Sequence, residues 1–252
     1  MTVAAIVPAA GRGERLGPGQ PKALRTLAGV PMLVYAVQAL ASARLVELVV
    51  VAAPPHGVAE VEALLASHDI GAPVLVVAGG EQRQDSVARA LEALPPEVDV
   101  VLVHDAARPL APSELVDAVA SAVLAGHGAV VPGLPMTDTV KRVALPVPHI
   151  TADADGQAPE SVLETVPRSD LRCIQTPQGF DRAVLTKAHA AAEDAATDDA
   201  GLVERLGLPV VVVAGSADAF KITRPIDLLI AEAVLLERRR KPRSDAEGGD
   251  RG

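Results

Sequence analysis

The chain has 252 residues, a formal net charge of −9 and one cysteine. That length suits one large α/β domain with an excursion and would crowd two; the acidic balance excludes a broad nucleic-acid or anionic-membrane footprint, and one cysteine excludes an internal disulfide or a cysteine-rich metal site. Hydrophobic residues make up 49%, yet Tyr35, Phe180 and Phe220 are the whole aromatic set, so the core is expected to be aliphatic, with Cys173 a small buried member of it. The N-terminus carries no basic segment with a long apolar core, and no run reaches about 18 apolar residues. A soluble, cytoplasmic protein is the expectation.

Val3 to Val7 reads as a buried strand, and it runs directly into Pro8-Ala9-Ala10-Gly11-Arg12-Gly13-Glu14-Arg15-Leu16-Gly17, continued to Pro21-Lys22. Small residues and glycines at a strand end let the backbone approach a ligand, and successive N–H groups in such a turn suit an anion. Arg12, Arg15 and Lys22 add positive charge over the same spot, so the stretch reads as a polyphosphate cradle. It is not a P-loop, because Lys22 follows Pro21, and not a dinucleotide fingerprint, because Leu16 stands where the third glycine belongs. The short Gly11-Arg12-Gly13 alone would equally suit a tight structural turn.

Pro31 to Ala43 carries a helical stripe, Leu45 to Ala52 a buried strand, His56 to Ser67 a helix and Val74 to Ala78 a third strand. The alternation predicts right-handed βαβ units, a parallel sheet and ligands at the carboxyl ends of its strands. Gly79-Gly80 then opens the run to Val87 before a helix over Ser86 to Leu94, a place for backbone contact with a planar ligand or, more simply, a turn capped by Asp85 or Ser86. Val98 to Val103 ends in His104-Asp105-Ala106-Ala107-Arg108-Pro109. Asp105 is placed there to hold a ribose hydroxyl or a metal-bound water, to pair with Arg108, or both. His104 is read as structural.

Glu114 to Leu124 is helical and Ala129 to Val131 starts another strand. Val143 to Pro167 has four prolines and little periodicity, as a protruding hairpin arm would. Asp181 to Ala192 reads as a helix capped by Asp181, and Thr197-Asp198-Asp199-Ala200 as a short helix start that capping and the helix dipole explain fully. Pro209 to Ala214 is the last strand. Lys221 follows among apolar neighbours, where an unpaired ammonium is costly, so a phosphate or a carboxylate should face it. Ile226 to Arg238 is a final helix, and 239–252 a charged, glycine-rich tail expected to be disordered.

The strings AAGxGxRxGxxxPK, GGxxRxxSV, HDAARP, TPQxF, TDDA and KxTRPxDL, in this order from Val7 to Leu228, resemble the 2-C-methyl-D-erythritol 4-phosphate cytidylyltransferases. The resemblance implies a Rossmann-like nucleotidyltransferase fold, mostly parallel and flanked by helices, in one domain over 1–238 with a protruding β-arm at about 137–170. It implies transfer of CMP from CTP to the polyol phosphate with release of pyrophosphate. Arg15 and Lys22 would be catalytic; Ala9, Ala10, Gly11, Gly13, Gly80, Arg83, Ser86, Asp105, Ala106 and Arg108 would bind the nucleotide; Arg168, Lys221 and Thr139 would position the acceptor. Mg²⁺ would be carried chiefly by the CTP phosphates, with Asp105 a candidate ligand, directly or through water, and the arm would join a homodimer. Two departures stand out: Pro167 where the family usually has Asp, and an arm lengthened by an inserted loop at 153–160. The competing readings are a cytidylyltransferase for another polyol phosphate, such as ribitol 5-phosphate, and a non-catalytic nucleotide-binding module.

Overall fold

The computed structural model describes residues 1–11, 22–146, 159–194 and 196–240. Strand β1 (Thr2–Pro8) is followed by two short strands, β2 (Thr26–Leu27) and β3 (Val30–Pro31), which pair with each other, and by helix α1 (Met32–Ala41). Strand and helix then alternate through β4 (Val46–Ala53), α2 (Val58–Ala66), β5 (Val74–Ala78), α3 (Arg83–Glu92), β6 (Val98–Val103) and α4 (Ser113–Leu124). Beyond β7 (Ala129–Pro135) come β8 (Val140–Pro146), β9 (Glu160–Val166), β10 (Arg172–Ile174) and β11 (Gln178–Asp181). The described chain closes with α5 (Arg182–Ala190), α6 (Asp199–Arg205), β12 (Val211–Ala214) and α7 (Pro225–Arg240).

One sheet runs β5-β4-β1-β6-β11-β7, with β10 and β12 also paired to β7. Neighbours β5, β4, β1 and β6 are parallel, as is β12 to β7, whereas β10 and β11 run antiparallel to their partners. The uninterrupted apolar character of β1 follows from cover on both faces. Val3, Ala5 and Val7 pack with Leu33, Val34 and Val37 of α1 and Val116 of α4; Ala4 and Ile6 pack with Val87 and Leu91 of α3 and with Phe180 and Leu185. The period of two in a strand sorts the residues in this way. A third cluster, through Leu27, Met32, Ile222 and Leu235, holds α7 to α1.

The path of the chain fixes where a ligand can sit. From β1 it moves outward to β4 and β5, then crosses back to β6 on the other side of β1. At such a reversal the loops after β1 and β6 diverge to opposite faces and leave a crevice at the carboxyl ends of the strands.

Local signals account for several helix starts. Asp181 caps α5 by accepting from the Ala183 and Val184 N–H groups at 2.9 and 3.1 Å. Asp227 accepts from the Thr223 and Arg224 N–H groups, both at 2.7 Å, and so starts α7. Helix α3 begins at Arg83 rather than Ser86: the Asp85 carboxylate accepts from the Gln82 N–H at 3.1 Å, which makes Asp85 an N3 residue one turn inside the helix instead of its cap.

The buried position expected for Cys173 is overturned. It lies on β10, which is exposed along its length, with Sγ 3.7 Å from Met136 Sδ. The β8–β9 hairpin pairs only with itself, Val140 opposite Val166 and Arg142 opposite Glu164, and leaves Val162 and Leu163 58% and 61% exposed. Residues 147–158, with most of the inserted loop, and 241–252 of the tail lie outside the described residues.

Candidate active site

The loop after β1 supplies a floor with almost no side chain. Pro8, Ala9, Ala10 and Gly11 line a cleft of about 200 Å³, and the Ala9 N–H donates to the Ala52 carbonyl at 2.8 Å, which keeps the loop in register with β4. Arg83, Ser86, Asp105, Ala106 and Lys221 complete the walls. Gly13 and Arg15 lie outside the described residues, as does the side chain of Lys22. The Lys22 backbone opens a short 3-10 turn, and the next residue, Ala23, lines the cleft.

The paired glycines after β5 answer to space rather than to backbone conformation. A Cβ on Gly79 would lie 2.7 Å from Ala10 Cβ and 2.9 Å from Ser86 Oγ; one on Gly80 would lie 2.2 Å from Asp85 Cβ. This is how the loop after β5 packs directly against the loop after β1. Gly80 is buried and already donates its N–H to Ser86 Oγ at 3.0 Å, and that hydroxyl in turn donates to the Gln82 carbonyl at 3.0 Å. Gly80 therefore shapes the wall, while Ser86 and Arg83 face the cleft.

Asp105 is the electrostatic centre. Its carboxylate, 13% exposed, has Lys221 Nζ at 2.7 Å, Arg83 Nε at 3.4 Å and Arg108 Nε at 4.0 Å. Burial opposes its ionisation, but the three cations outweigh burial and hold its pKa well below the usual carboxylate range. The carboxylate that Lys221 required from its sequence context is thus Asp105. Arg83 spans Asp105 and Asp199; burial would favour its neutral form, but the two carboxylates prevail and raise its pKa.

Arg108 sits deep in the wall. It is 8% exposed and donates to the carbonyls of Ala219 at 2.7 Å and Ile174 at 3.3 Å, so it clamps the loops around Asp105 as well as neutralising it. A second cleft of about 200 Å³ shares Arg83, Asp105 and Lys221 with the first and adds Arg108, Gln175, Thr176, Thr197 and Asp198. Thr139 and Arg168 line neither cleft of the single chain. Both are exposed near the base of the arm, where Arg168 donates to the Thr137 carbonyl.

Several participants had only faint sequence signals. Thr176, inside the TPQ string, accepts from the Asp105 N–H at 3.0 Å and donates to His104 Nδ1 at 3.1 Å. Arg89 braces Gly79 through its carbonyl at 2.6 Å. Asp199 is 1% exposed and pairs with Arg83 at 2.7 Å and His189 at 3.0 Å, so the explanation of TDDA as a cap alone is incomplete; Asp198 is the cap, accepting from the Gly201 N–H at 3.0 Å.

His104 is structural, as read. It is fully buried, and because Nε2 lies 3.1 Å from the Arg108 carbonyl, that nitrogen carries the proton and Nδ1 accepts from Thr176. Burial, the largest influence, pushes its pKa down from 6.5 to about 4. Between those values the unfolded chain binds the proton and the folded chain does not, so stability falls as pH drops through this window, by roughly 3 kcal/mol in all. Urea unfolding at pH 7 and pH 4.5 should show that decline, and His104→Asn should remove most of it. An unchanged decline in the variant would exclude His104 as its source.

A parallel-sheet crevice, a side-chain-poor turn at one strand end and a ring of cations around a buried aspartate define a nucleotide-binding α/β protein that handles phosphates. The family model described as 2-C-methyl-D-erythritol 4-phosphate cytidylyltransferase matches residues 3–237, and the chain belongs to that family. It is accordingly a nucleotidyltransferase, a class that generally uses a divalent metal. The enzyme of this name from Streptomyces coelicolor is 58% identical over 94% of this chain and 86% of its own length; that from Saccharopolyspora erythraea is 52% identical over 93% and 100%. The crystal structure of the Thermus thermophilus cytidylyltransferase superposes with a TM-score of 0.70 at 39% identity, covering 93% of this chain and 98% of its own. No described helix is long and apolar enough to cross a membrane.

Proposed function

We propose that this chain transfers CMP from CTP to 2-C-methyl-D-erythritol 4-phosphate in the non-mevalonate route to isoprenoid precursors. The observation that carries the reading is Lys221 on Asp105 in a wall common to two clefts, because the reaction must bring two phosphorylated substrates to one point. CTP takes the cleft floored by Ala9, Ala10 and Gly11, with Gly13 in the same loop, Arg83, Ser86, Asp105 and Ala106 around it, and Gly80 and Arg108 fixing the walls. The acceptor takes the adjoining cleft, its phosphate on Lys221.

A phosphate monoester has its second pKa near about 6, so the acceptor is already a nucleophile at neutral pH and no base is required. One of its oxygens attacks the α-phosphorus of CTP, the bond from that phosphorus to the bridging oxygen of the β-phosphate breaks, and pyrophosphate leaves. The obstacle is charge. Arg15 and Lys22, with the loop N–H groups, are assigned to the oxygens of the α-phosphate and the leaving group, where preorganised donors act most strongly.

The donor set fits Mg²⁺ held mainly by substrate. Among the described residues no group of three or more His, Cys, Asp or Glu could form a metal cage, and a lone carboxylate plus triphosphate oxygens suits a hard cation that keeps several waters. Asp105 is its protein contact, directly or through water, and the ion when bound neutralises the triphosphate.

We read residues 1–238 as one catalytic domain in the cytoplasm and the arm at 137–170 as the link to a second copy. An isolated two-stranded hairpin is only marginally stable, and the exposed Val162 and Leu163 favour cover by a partner subunit. Thr139 and Arg168 then serve the partner's acceptor cleft rather than their own.

The test is Mg²⁺-dependent pyrophosphate release with CTP, ATP, GTP and UTP, each with and without the acceptor. Release is expected only with CTP and 2-C-methyl-D-erythritol 4-phosphate together. Turnover with ribitol 5-phosphate alone would keep the nucleotide half and remove the pathway.

A further inference from the structure

We propose that Asp199 is a positioning residue for the transfer reaction: it acts through Arg83 and fixes that guanidinium in the wall of the nucleotide cleft. The inference rests on the assignment of this cleft to CTP.

A carboxylate that is 1% exposed must be paired, since burying a bare charge is prohibitive. The helix start at α6 does not need it. Asp198 meets the Gly201 N–H with Oδ1 and the Gln178 amide with Oδ2, at 3.0 and 2.7 Å. Asp199 instead directs both oxygens inward, Oδ2 to Arg83 Nη1 at 2.7 Å and Oδ1 to His189 Nε2 at 3.0 Å. His189 is buried as well, and its other ring nitrogen has no hydrogen-bond partner, so among the described residues its ring makes its polar contact with Asp199 alone.

These contacts form a row, His189 to Asp199 to Arg83 to Asp105, from α5 to the loop after β6. The two ends of Arg83 are not equivalent. Nη1 is 2.7 Å from the deeply buried carboxylate, whereas Nε is 3.4 Å from the carboxylate that borders both clefts. Asp199 is therefore the anchor and Asp105 the looser contact, which leaves the cleft face of the guanidinium oriented for ligand. A planar donor fork is useful only when its plane is fixed, and misplacement by about 1 Å can cost on the order of 10²-fold in rate.

A double-mutant cycle separates this role from a simple tie between α5 and α6. CTP dissociation constants from calorimetry and kcat/KM for CTP at saturating acceptor are measured for the wild type, Asp199→Asn, Arg83→Gln and the double variant, each with its thermal transition. Asp199→Asn is expected to weaken CTP by about 10- to 10²-fold in both readouts. In the Arg83→Gln background the same substitution should change CTP affinity less than about 2-fold. Additive losses, or no loss from Asp199→Asn alone, overturn the proposal. If Asp199→Asn gives no cooperative thermal transition, His189→Leu replaces it in the cycle, with a smaller loss expected and additivity or no loss again decisive against. Wild-type protein without CTP affinity overturns the cleft assignment and this proposal together, whereas additive losses on intact wild-type affinity overturn this proposal alone.

Discussion

Replacing Asp105 with asparagine is expected to lower kcat by about 10²- to 10³-fold while metal-free CTP binding stays unchanged or tightens. The two effects have opposite signs because the carboxylate does two things. In the free protein it offsets part of the positive charge of Lys221, Arg83 and Arg108, all within 4.0 Å. Asparagine keeps the shape and an acceptor oxygen but removes the negative charge, so the cleft becomes more positive and a triphosphate is drawn in at least as well. Turnover depends instead on where those cations point. Without the anion, Lys221 and Arg83 repel one another, and the contact proposed above for a hard cation goes with it. The same repulsion should lower stability by about 3 kcal/mol, as when one partner of a buried ion pair is removed.

Acid should reproduce part of this loss in the wild type. Asp105 has a folded pKa held below its unfolded value, so its contribution to stability is full above the ordinary carboxylate range and disappears only as pH falls through the depressed folded value. The His104 window lies higher, between 6.5 and about 4, so the two titrations separate on the pH axis. Pyrophosphate assays, CTP calorimetry with chelator and denaturant melts check the three expectations. An Asp105→Asn enzyme within 10-fold of wild-type turnover would remove Asp105 from the centre of the site.

Much of this architecture is legible from residue order because the deciding interactions are local. The apolar runs at β1, β4 and β6 announce strands covered on both faces, and Asp181 announces its own cap. Lys221 is partly legible in the same way: its apolar surroundings demand an anion, although nothing in the sequence says that Asp105, 116 residues earlier, supplies it. Asp199 was hidden for the complementary reason. A TDDA string at a helix start satisfies every local rule, and its distant partner Arg83 is also 116 residues away, so the local explanation looks complete when it is not. Gly80 reads as a backbone contact for ligand, but its N–H is consumed by Ser86, a bond visible only once the turn is built. Cys173 carries no local cue to its exposure, because what decides it is the place of β10 beyond the parallel part of the sheet.

Lys221→Ala is expected to leave CTP affinity within about 2-fold of wild type and to raise the acceptor KM by on the order of 10²-fold, since a charge-assisted contact to a phosphate is lost from a shared wall rather than from the nucleotide floor. Arg168→Ala should do the same, although Arg168 lines neither cleft of its own chain and lies near the base of the arm. If the arm delivers Arg168 to the neighbouring copy, the two defects reside in different halves of each site. Mixing the two variants after reversible dissociation then yields heterodimers in which one site carries both substitutions and the other carries neither. Random pairing makes half the dimers mixed, so about a quarter of wild-type activity should return at an acceptor concentration where each variant alone is nearly silent. If Arg168 instead serves its own chain, every site in the mixture keeps one defect and no activity returns. Recovery therefore reads out the acceptor role of both cations and the crossing of the arm together, whereas an unchanged acceptor KM in Lys221→Ala would remove Lys221 from the acceptor site whatever the mixture does.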